Sequence, residues 1–260
     1  EGISYTEFSY QILQGLDFRR LHLDYGCMLQ TGGSDQWGNL TSGVDLVRKA
    51  EGKTVHAIGT PLVTNADGRK FGKSEGNAVW LDPALTSPYA MYQFWLNTDD
   101  ADVIDRLKVF TFLSRSEIEA FTELVENEPF RRAAQKRLAL EVTGFVHGAD
   151  AVTAAIAASD ALFGQGDLSA LDAETLAAAI AELPIADVAE SDTVVHALVA
   201  TGLCSSAGEA RRAIGQGGVS LNNVKVSSDE QTLAGAALAG ASAVLRRGKK
   251  TLAGLRFVAS

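Results

Sequence analysis

Leu29-Gln-Thr-Gly-Gly-Ser-Asp-Gln-Trp-Gly-Asn39 runs from an apolar segment through two glycines into a helix-forming segment. Gly26-Cys27-Met28-Leu29 before it reads as the end of a short buried strand. After it, Trp37, Leu40, Val44 and Val47 recur at spacings of three and four, which predicts a helix to about Lys49. A strand passing through glycines into a helix is how α/β proteins meet ligands. The glycines let backbone come close, and the new helix offers unpaired N–H groups. Ser34 and Asp35 stand where an N-cap is expected. Capping accounts for one of them, but not for Gln30, Asp35, Gln36, Trp37 and Asn39 gathered around two glycines.

Those residues carry a resemblance. Gly32-Gly-Ser-Asp-Gln-Trp-Gly-Asn39 resembles the adenylate-binding loop of bacterial-type tyrosyl-tRNA synthetases, a class I aminoacyl-tRNA synthetase family. The resemblance implies that Asp35 holds the ribose of an adenylate, with Gly33 offering backbone to it. Gln30 and Gln36 would then sit beside the substrate. The chemistry is consistent: a carboxylate can accept from two hydroxyls, and a carboxamide both donates and accepts.

The first helix extends the argument. Ser4-Tyr-Thr-Glu7 has the form of a capping box, starting a helix near Tyr5 that is expected to reach about Arg19. At 100° per residue Phe8 and Ile12 share one face, while Tyr10, Gln14 and Asp17 share a narrow opposite arc. The bland reading of that arc is a wetted polar face. Yet it holds a hydroxyl, a carboxamide and a carboxylate with no Lys or Arg, a set suited to a small zwitterion. The resemblance gives Tyr10 and Gln14 the substrate α-amino group and Asp17 the substrate phenol. A tryptophan site has no use for a phenol acceptor, so Asp17 favours tyrosine.

Thr54–Ile58 and Pro61–Thr64 read as strands, followed by a turn at Asn65-Ala-Asp-Gly68. Lys70-Phe-Gly-Lys-Ser74 then places two ammonium groups around a glycine. Alone this is a solvated turn. After the glycine loop it resembles the second class I motif, Lys-Met-Ser-Lys-Ser, with Phe71 and Gly72 departing from it at non-lysine positions. That resemblance makes Lys70, Lys73 and Ser74 catalytic and gives Lys73 a nucleotide contact, the ammoniums opposing charge that develops on pyrophosphate. The companion His-Ile-Gly-His motif is absent from the sequence. His22, His56, His147 and His196 lie in other surroundings and read as ordinary histidines.

The net charge of −9 speaks against uniform attraction to polyanions, but it is unevenly spread. Residues 205–260 hold eight Lys/Arg against three acids, net +5, while residues 1–204 carry −14. A basic end on an acidic body suggests a localised polyanionic partner. Two distant cysteines, Cys27 and Cys204, give neither a disulfide framework nor a metal spacing. No membrane-length apolar run or secretory leader is evident, so the expected location is the cytoplasm. The chain opens at Glu1-Gly-Ile-Ser with no initiator methionine, which reads as part of something longer.

From Ser87 the sequence is helical: Ser87–Leu96, Asp99–Leu113, Ser116–Glu126 capped by Ser116, and Pro129–His147. Phe110, Phe112, Phe121 and Phe145 read as core. Arg131, Arg132, Lys136 and Arg137 gather on one helix, as a solvated face or an RNA contact. Residues 149–185 are alanine-rich, a last helix and then a helix-loop connector. Beyond Ser191, Val194–Ala200 and Ala207–Ile214 are helices. Val219–Val226 is a hairpin turning at Asn222-Asn223, and Ala243–Lys250 with Leu252–Val258 form a strand pair around a basic glycine turn. This end resembles the S4-like RNA-binding domain of the same family, which points to Arg211, Arg212, Lys225, Arg246, Arg247, Lys249 and Lys250 as phosphate contacts.

The expected fold is therefore α/β, a partial Rossmann-like class I synthetase catalytic domain (1–82). An α-helical anticodon-side domain (83–165), a connector (166–190) and a small α+β S4-like domain (191–260) follow. The resemblance implies a tyrosine–tRNA ligase using ATP with Mg²⁺ as substrate and no protein-ligated metal. Its partners would be L-tyrosine and tRNA(Tyr), and the full-length protein would be a homodimer. Without the first half of the nucleotide fold, the chain alone is expected to be inactive. The alternative is a non-catalytic RNA-binding module derived from a synthetase.

Overall fold

The computed structural model describes residues 2, 4–65, 71, 78–163, 166–249 and 251–258. Lys70, Lys73, Ser74 and Lys250 lie outside the described residues, as does the expected turn beyond Asn65. The chain divides into two compact units, Glu1–Ala78 and Val79–Ser260.

In the first unit, α1 (Tyr5–Tyr25) starts at the expected capping box: the Ser4 Oγ accepts from the Glu7 N–H and the Glu7 carboxylate accepts from the Ser4 N–H. The helix continues beyond Arg19 because nothing breaks it before Gly26, which adopts a left-handed φ of 67°. An Arg20–Asp24 pair at 2.7 Å supports the added turn. Strand β1 (Leu29–Gly33), helix α2 (Trp37–Glu51) and strand β2 (His56–Thr60) follow. The strands pair in parallel, from Leu29 opposite His56 to Gly33 opposite Thr60.

Three expectations are corrected here. The strand begins at Leu29 rather than ending there, and it is half-exposed among the described residues rather than buried. Pro61–Val63 is irregular, in keeping with a proline that has no N–H for a ladder. Phe8 and Ile12, which share one face of α1, are about half exposed, and the buried residues of the helix are Gly15 and Phe18. Small residues decide which face is buried. A β-carbon on Gly43 of α2 would fall 2.9 Å from Phe18 Cδ1, so the glycine lets the phenyl ring seat against α2. Phe18, Val47 and Val55 form the buried cluster.

The second unit opens with α3 (Pro88–Leu96), α4 (Asp100–Phe110) and α5 (Arg115–Asn127). Helix α5 is capped by Ser114, not Ser116, with Glu117 completing the capping box. A 3-10 turn at Pro129–Arg131 and a left-handed Arg132 (φ 50°) precede α6 (Ala133–His147). The expected basic helix is therefore broken, and its arginines are engaged: Arg131 pairs with Glu128, and Arg137 with Glu141 at 2.9 Å. Arg132 donates to the carbonyls of Leu96 and Thr98, so it clamps the α3–α4 loop. The phenylalanines divide. Phe110 stacks near Trp95, whereas Phe112 and Phe145 are largely exposed and face each other with ring centroids 5.7 Å apart.

Helices α7 (Ala149–Leu162) and α8 (Ala173–Ala181) follow, then β3 (Ile185–Val188), α9 (Val194–Ala200), α10 (Ala207–Gly215), β4 (Val219–Leu221), β5 (Val224–Lys225), β6 (Ser242–Arg247) and β7 (Thr251–Phe257). Residues 166–190, expected as a connector, thus contain α8 and β3. Strand β3 pairs in parallel with β7, giving the order β3-β7-β6-β4-β5 with the remaining pairs antiparallel. One face of this sheet buries Val219, Leu245 and Leu255 against Leu198, Leu203 and Ile214 from the α9–α10 region. On the other face, Ile180 of α8 lies against Gly254.

Candidate functional site

The glycine turn does not follow the capping scheme. Gly33 is extended, Ser34–Gln36 form a 3-10 turn, and α2 begins at Trp37, whose N–H donates to the Ser34 carbonyl. The N-cap positions of the 3-10 turn and of α2 are Gly33 and Gln36, not Ser34 or Asp35, and neither makes a side-chain cap. The extra turn delays the helix by two residues and leaves the Asp35 carboxylate over the Gly33 backbone. A β-carbon on Gly33 would stand 2.8 Å from Asp35 Oδ1 and 3.1 Å from Leu62 Cδ2. Only glycine gives the carboxylate that position.

An open cleft of about 580 Å³ lies between this turn and α1, lined by Gly2, by Glu7, Tyr10 and Gln11 from α1, by Asp35 and Gln36 from the turn and by Asn39 from the start of α2. Tyr10, Asp35 and Gln36 are thereby brought together. The Asn39 side-chain N–H donates to Gln36 Oε1 at 3.0 Å, leaving the Gln36 amide nitrogen as a donor. Gln14 and Asp17 lie further along α1 and do not line the cleft. Asp17 is exposed and, among the described residues, makes no hydrogen bond or ion pair. The arginines next to it are engaged elsewhere, Arg19 with Glu51 at 2.6 Å and Arg20 with Asp24. The half-buried Gln30 directs its Oε1 to a buried place with no partner among the described residues.

The sequence assigns no site role to four of the lining residues, Gly2, Glu7, Gln11 and Asn39. Glu7 and Gln11 stand three before and one after Tyr10, and Glu7–Tyr10 at i,i+3 was the available signal. Bonds from the Ser4 backbone and hydroxyl hold the Glu7 carboxyl below its ordinary value, so it stays ionised beside the cleft.

At the basic end, Asn222 and Asn223 turn the hairpin with φ of 49° and 66°, as expected for a two-residue loop of this type. Ser220 stands opposite both Lys225 and Arg246, which puts those two cations on one face of the sheet. The Lys225 ammonium lies over the Gly217 backbone. Lys249 is exposed in the β6–β7 turn, Arg212 is exposed on α10, and Arg211 pairs with Asp229 at 3.4 Å. Arg247, grouped from sequence with the RNA-facing cations, is turned inward instead. It donates to the Leu203 carbonyl and, at 2.8 Å, to Glu209 Oε1. Bonds from the Ser205 hydroxyl and N–H, then from Arg247, hold the Glu209 carboxyl down at about 2.

Among the described residues no helix is long and apolar enough to cross a membrane. Residues 1–164 match the family of class I tRNA synthetases (W and Y), and residues 175–253 match the tyrosine--tRNA ligase SYY-like C-terminal domain. The chain is 66% identical over 98% of its length to a tyrosine--tRNA ligase of Leifsonia xyli subsp. xyli, covering 58% of that relative. It is 58% identical over 97% of its length to one from Streptomyces avermitilis, covering 60% of it. The chain thus spans about three fifths of the curated relatives it matches.

Proposed function

This chain belongs to the class I tRNA synthetases of the W and Y group, and within it to the bacterial-type tyrosyl-tRNA synthetases, and from that membership we propose that it carries part of a tyrosine–tRNA ligase. The reaction, proposed of a protein of the relatives' full length, activates L-tyrosine with ATP to tyrosyl-adenylate and passes the tyrosyl group to the 3′ end of tRNA(Tyr). Mg²⁺ arrives with the ATP. The whole protein acts as a homodimer.

The observation that carries this reading is the shared cleft of Tyr10 with Asp35 and Gln36. Tyr10 and Gln14 take the α-amino group, and Asp17 accepts from the phenol. Gln36, its carbonyl occupied by Asn39, donates toward the carboxylate that becomes the acyl phosphate, with Gln30 beside it. Asp35 holds the ribose over Gly33. Lys70, Lys73 and Ser74 are carried over from the family motif as catalytic, the two lysines opposing the charge on the departing pyrophosphate, so catalysis is mainly positioning and charge stabilisation. The sheet at the basic end serves as an S4-like domain that holds tRNA by its backbone.

The test is exchange of labelled pyrophosphate into ATP by the full-length protein. Exchange should depend on tyrosine, and Asp17→Ala should abolish discrimination against phenylalanine. Exchange supported by tryptophan in place of tyrosine would overturn the assignment of Asp17 and the reading with it.

A further inference from the structure

Successive strand residues point to opposite faces, so Arg246 and Arg247 leave β6 in opposite directions. Arg247 reaches the Leu203 carbonyl and Glu209 Oε1. The other oxygen of that carboxylate accepts from the Ser205 N–H and from the Ser205 hydroxyl, each at 2.7 Å. The Glu209 N–H in turn donates to Ser206 Oγ at 3.3 Å, the N-cap of α10. One carboxylate therefore ties together the loop before α10, the first turn of α10 and the last residue of β6.

Arg246 emerges on the other face with Lys225, both in register with Ser220. Lys225 lies over Gly217, and the carbonyl of Gly218 accepts from the Gly248 N–H at 2.8 Å, one residue before Lys249. Lys225, Arg246 and Lys249 thus surround a single glycine turn that α10 runs into. None of the three is ion-paired among the described residues.

We infer that Arg247 is a positioning residue: bonded to Glu209, it fixes α10 against β6 and so sets the spacing of a cationic rim, Lys225, Arg246 and Lys249, that receives an RNA phosphate backbone. The inference rests on the RNA-binding reading of the basic end. A charged pair already closed on itself releases no counterion on binding RNA, whereas each unpaired cation that meets a phosphate does. A guanidinium shared between a carboxylate and a carbonyl must also give up charge-assisted bonds to reach a phosphate.

The experiment measures the dissociation constant of the 260-residue chain for a tRNA(Tyr) transcript across a salt series. Arg246→Gln should lower the slope of log affinity against log salt by about 0.7–0.9, one phosphate contact. Arg247→Gln should weaken binding at every salt concentration with the slope unchanged. Arg247→Lys should behave like Arg247→Gln, because one ammonium cannot reproduce the fork. Glu209→Gln should also weaken binding although it removes a negative charge, and the Glu209→Gln/Arg247→Gln double variant should be no worse than either single one. If Arg247→Gln lowers the slope as Arg246→Gln does, if Arg247→Lys binds as wild type, or if Glu209→Gln tightens binding, Arg247 is itself a phosphate contact. Should Arg247→Gln fail to fold by circular dichroism, the lysine and Glu209→Gln variants decide alone. No salt-dependent binding by the unaltered chain would instead sink the RNA reading itself.

Discussion

The Asp35 Oδ1 atom stands 2.8 Å from the place a β-carbon on Gly33 would occupy, so a carboxylate and a bare backbone are packed against each other at the mouth of the cleft. Gly33→Ala should therefore displace Asp35 rather than unfold the unit, since Leu62 offers the methyl no room on the other side. Overpacking of this kind costs roughly 1–3 kcal/mol. In the full-length protein we expect ATP affinity to fall by about tenfold, equivalent to ~1.4 kcal/mol, with tyrosine affinity little changed. Calorimetric titration of both ligands checks this, and equal losses for the two would contradict the assignment of Asp35 to the ribose.

Asn39 prepares Gln36 in the same turn. Its side-chain N–H occupies the Gln36 carbonyl, leaving the amide nitrogen to donate. Asn39→Asp keeps the shape but offers an acceptor, so Gln36 should turn its amide over to meet it. The expected result is a raised KM for tyrosine in pyrophosphate exchange, with the KM for ATP nearly constant. Asn39→Ala should show a smaller rise in the tyrosine KM, because the Gln36 amide is then unrestrained rather than reversed.

Glu209 gives a pH dependence whose sign is fixed by the direction of its shift. Its carboxyl is held at about 2 against an ordinary value of 4.5, so the folded state favours the ionised form. The stabilisation is complete above the unfolded value and is lost as pH falls from about 4.5 through about 2. Unfolding of wild type and Glu209→Gln by urea should differ most at neutral pH, and the difference should shrink across that window. A difference that holds constant down to pH 2 would show that the carboxylate's charge contributes nothing.

The hairpin turn offers a stability test independent of any ligand. Asn222 donates to the Ala236 carbonyl at 2.6 Å and accepts from the Val244 N–H at 2.9 Å, while adopting a left-handed φ of 49°. Asn222→Ala loses both bonds and the tolerance for that conformation. At about 1 kcal/mol for each net bond, with a smaller conformational penalty, the loss should be roughly 2–3 kcal/mol. Asn222→Gly should recover only the conformational part, as read from urea midpoints.

Local grammar made some of this molecule legible. The Ser4–Glu7 capping box, the Asn222-Asn223 turn and the helix from Ala207 are short-range devices, and each appears at its predicted place. What failed depended on distant partners. The buried face of α1 is not legible in its own sequence because Gly43, on another helix, decides where Phe18 can go. Ser34 and Asp35 looked like caps because a 3-10 turn is invisible to periodicity. Arg246 and Arg247 looked alike in a basic run, although strand alternation sends one to the rim and the other to Glu209. Of the cleft, Tyr10, Asp35 and Gln36 were readable through the family resemblance. Asn39 is legible in the sequence only as one of a crowd, because residue spacing does not show its bond to Gln36.

The aromatic residues of the helical region separate exposure from hydrophobicity. Phe112 and Phe145 are 89% and 77% exposed and face each other, whereas Leu138 on α6 is fully buried. An exposed aromatic pair contributes about 0.5–1.5 kcal/mol beyond the area it covers. Truncating a buried leucine removes transfer energy and leaves a cavity, together about 2–5 kcal/mol. Phe145→Ser should thus lower stability by about 1 kcal/mol, and Phe112→Ser added to it should change little further, since the first substitution already ends the ring contact. Leu138→Ala should exceed both together. Urea unfolding of the four chains decides the matter: if Phe145→Ser proves as damaging as Leu138→Ala, the phenylalanine is packed in a core and the exposed position of its ring is wrong.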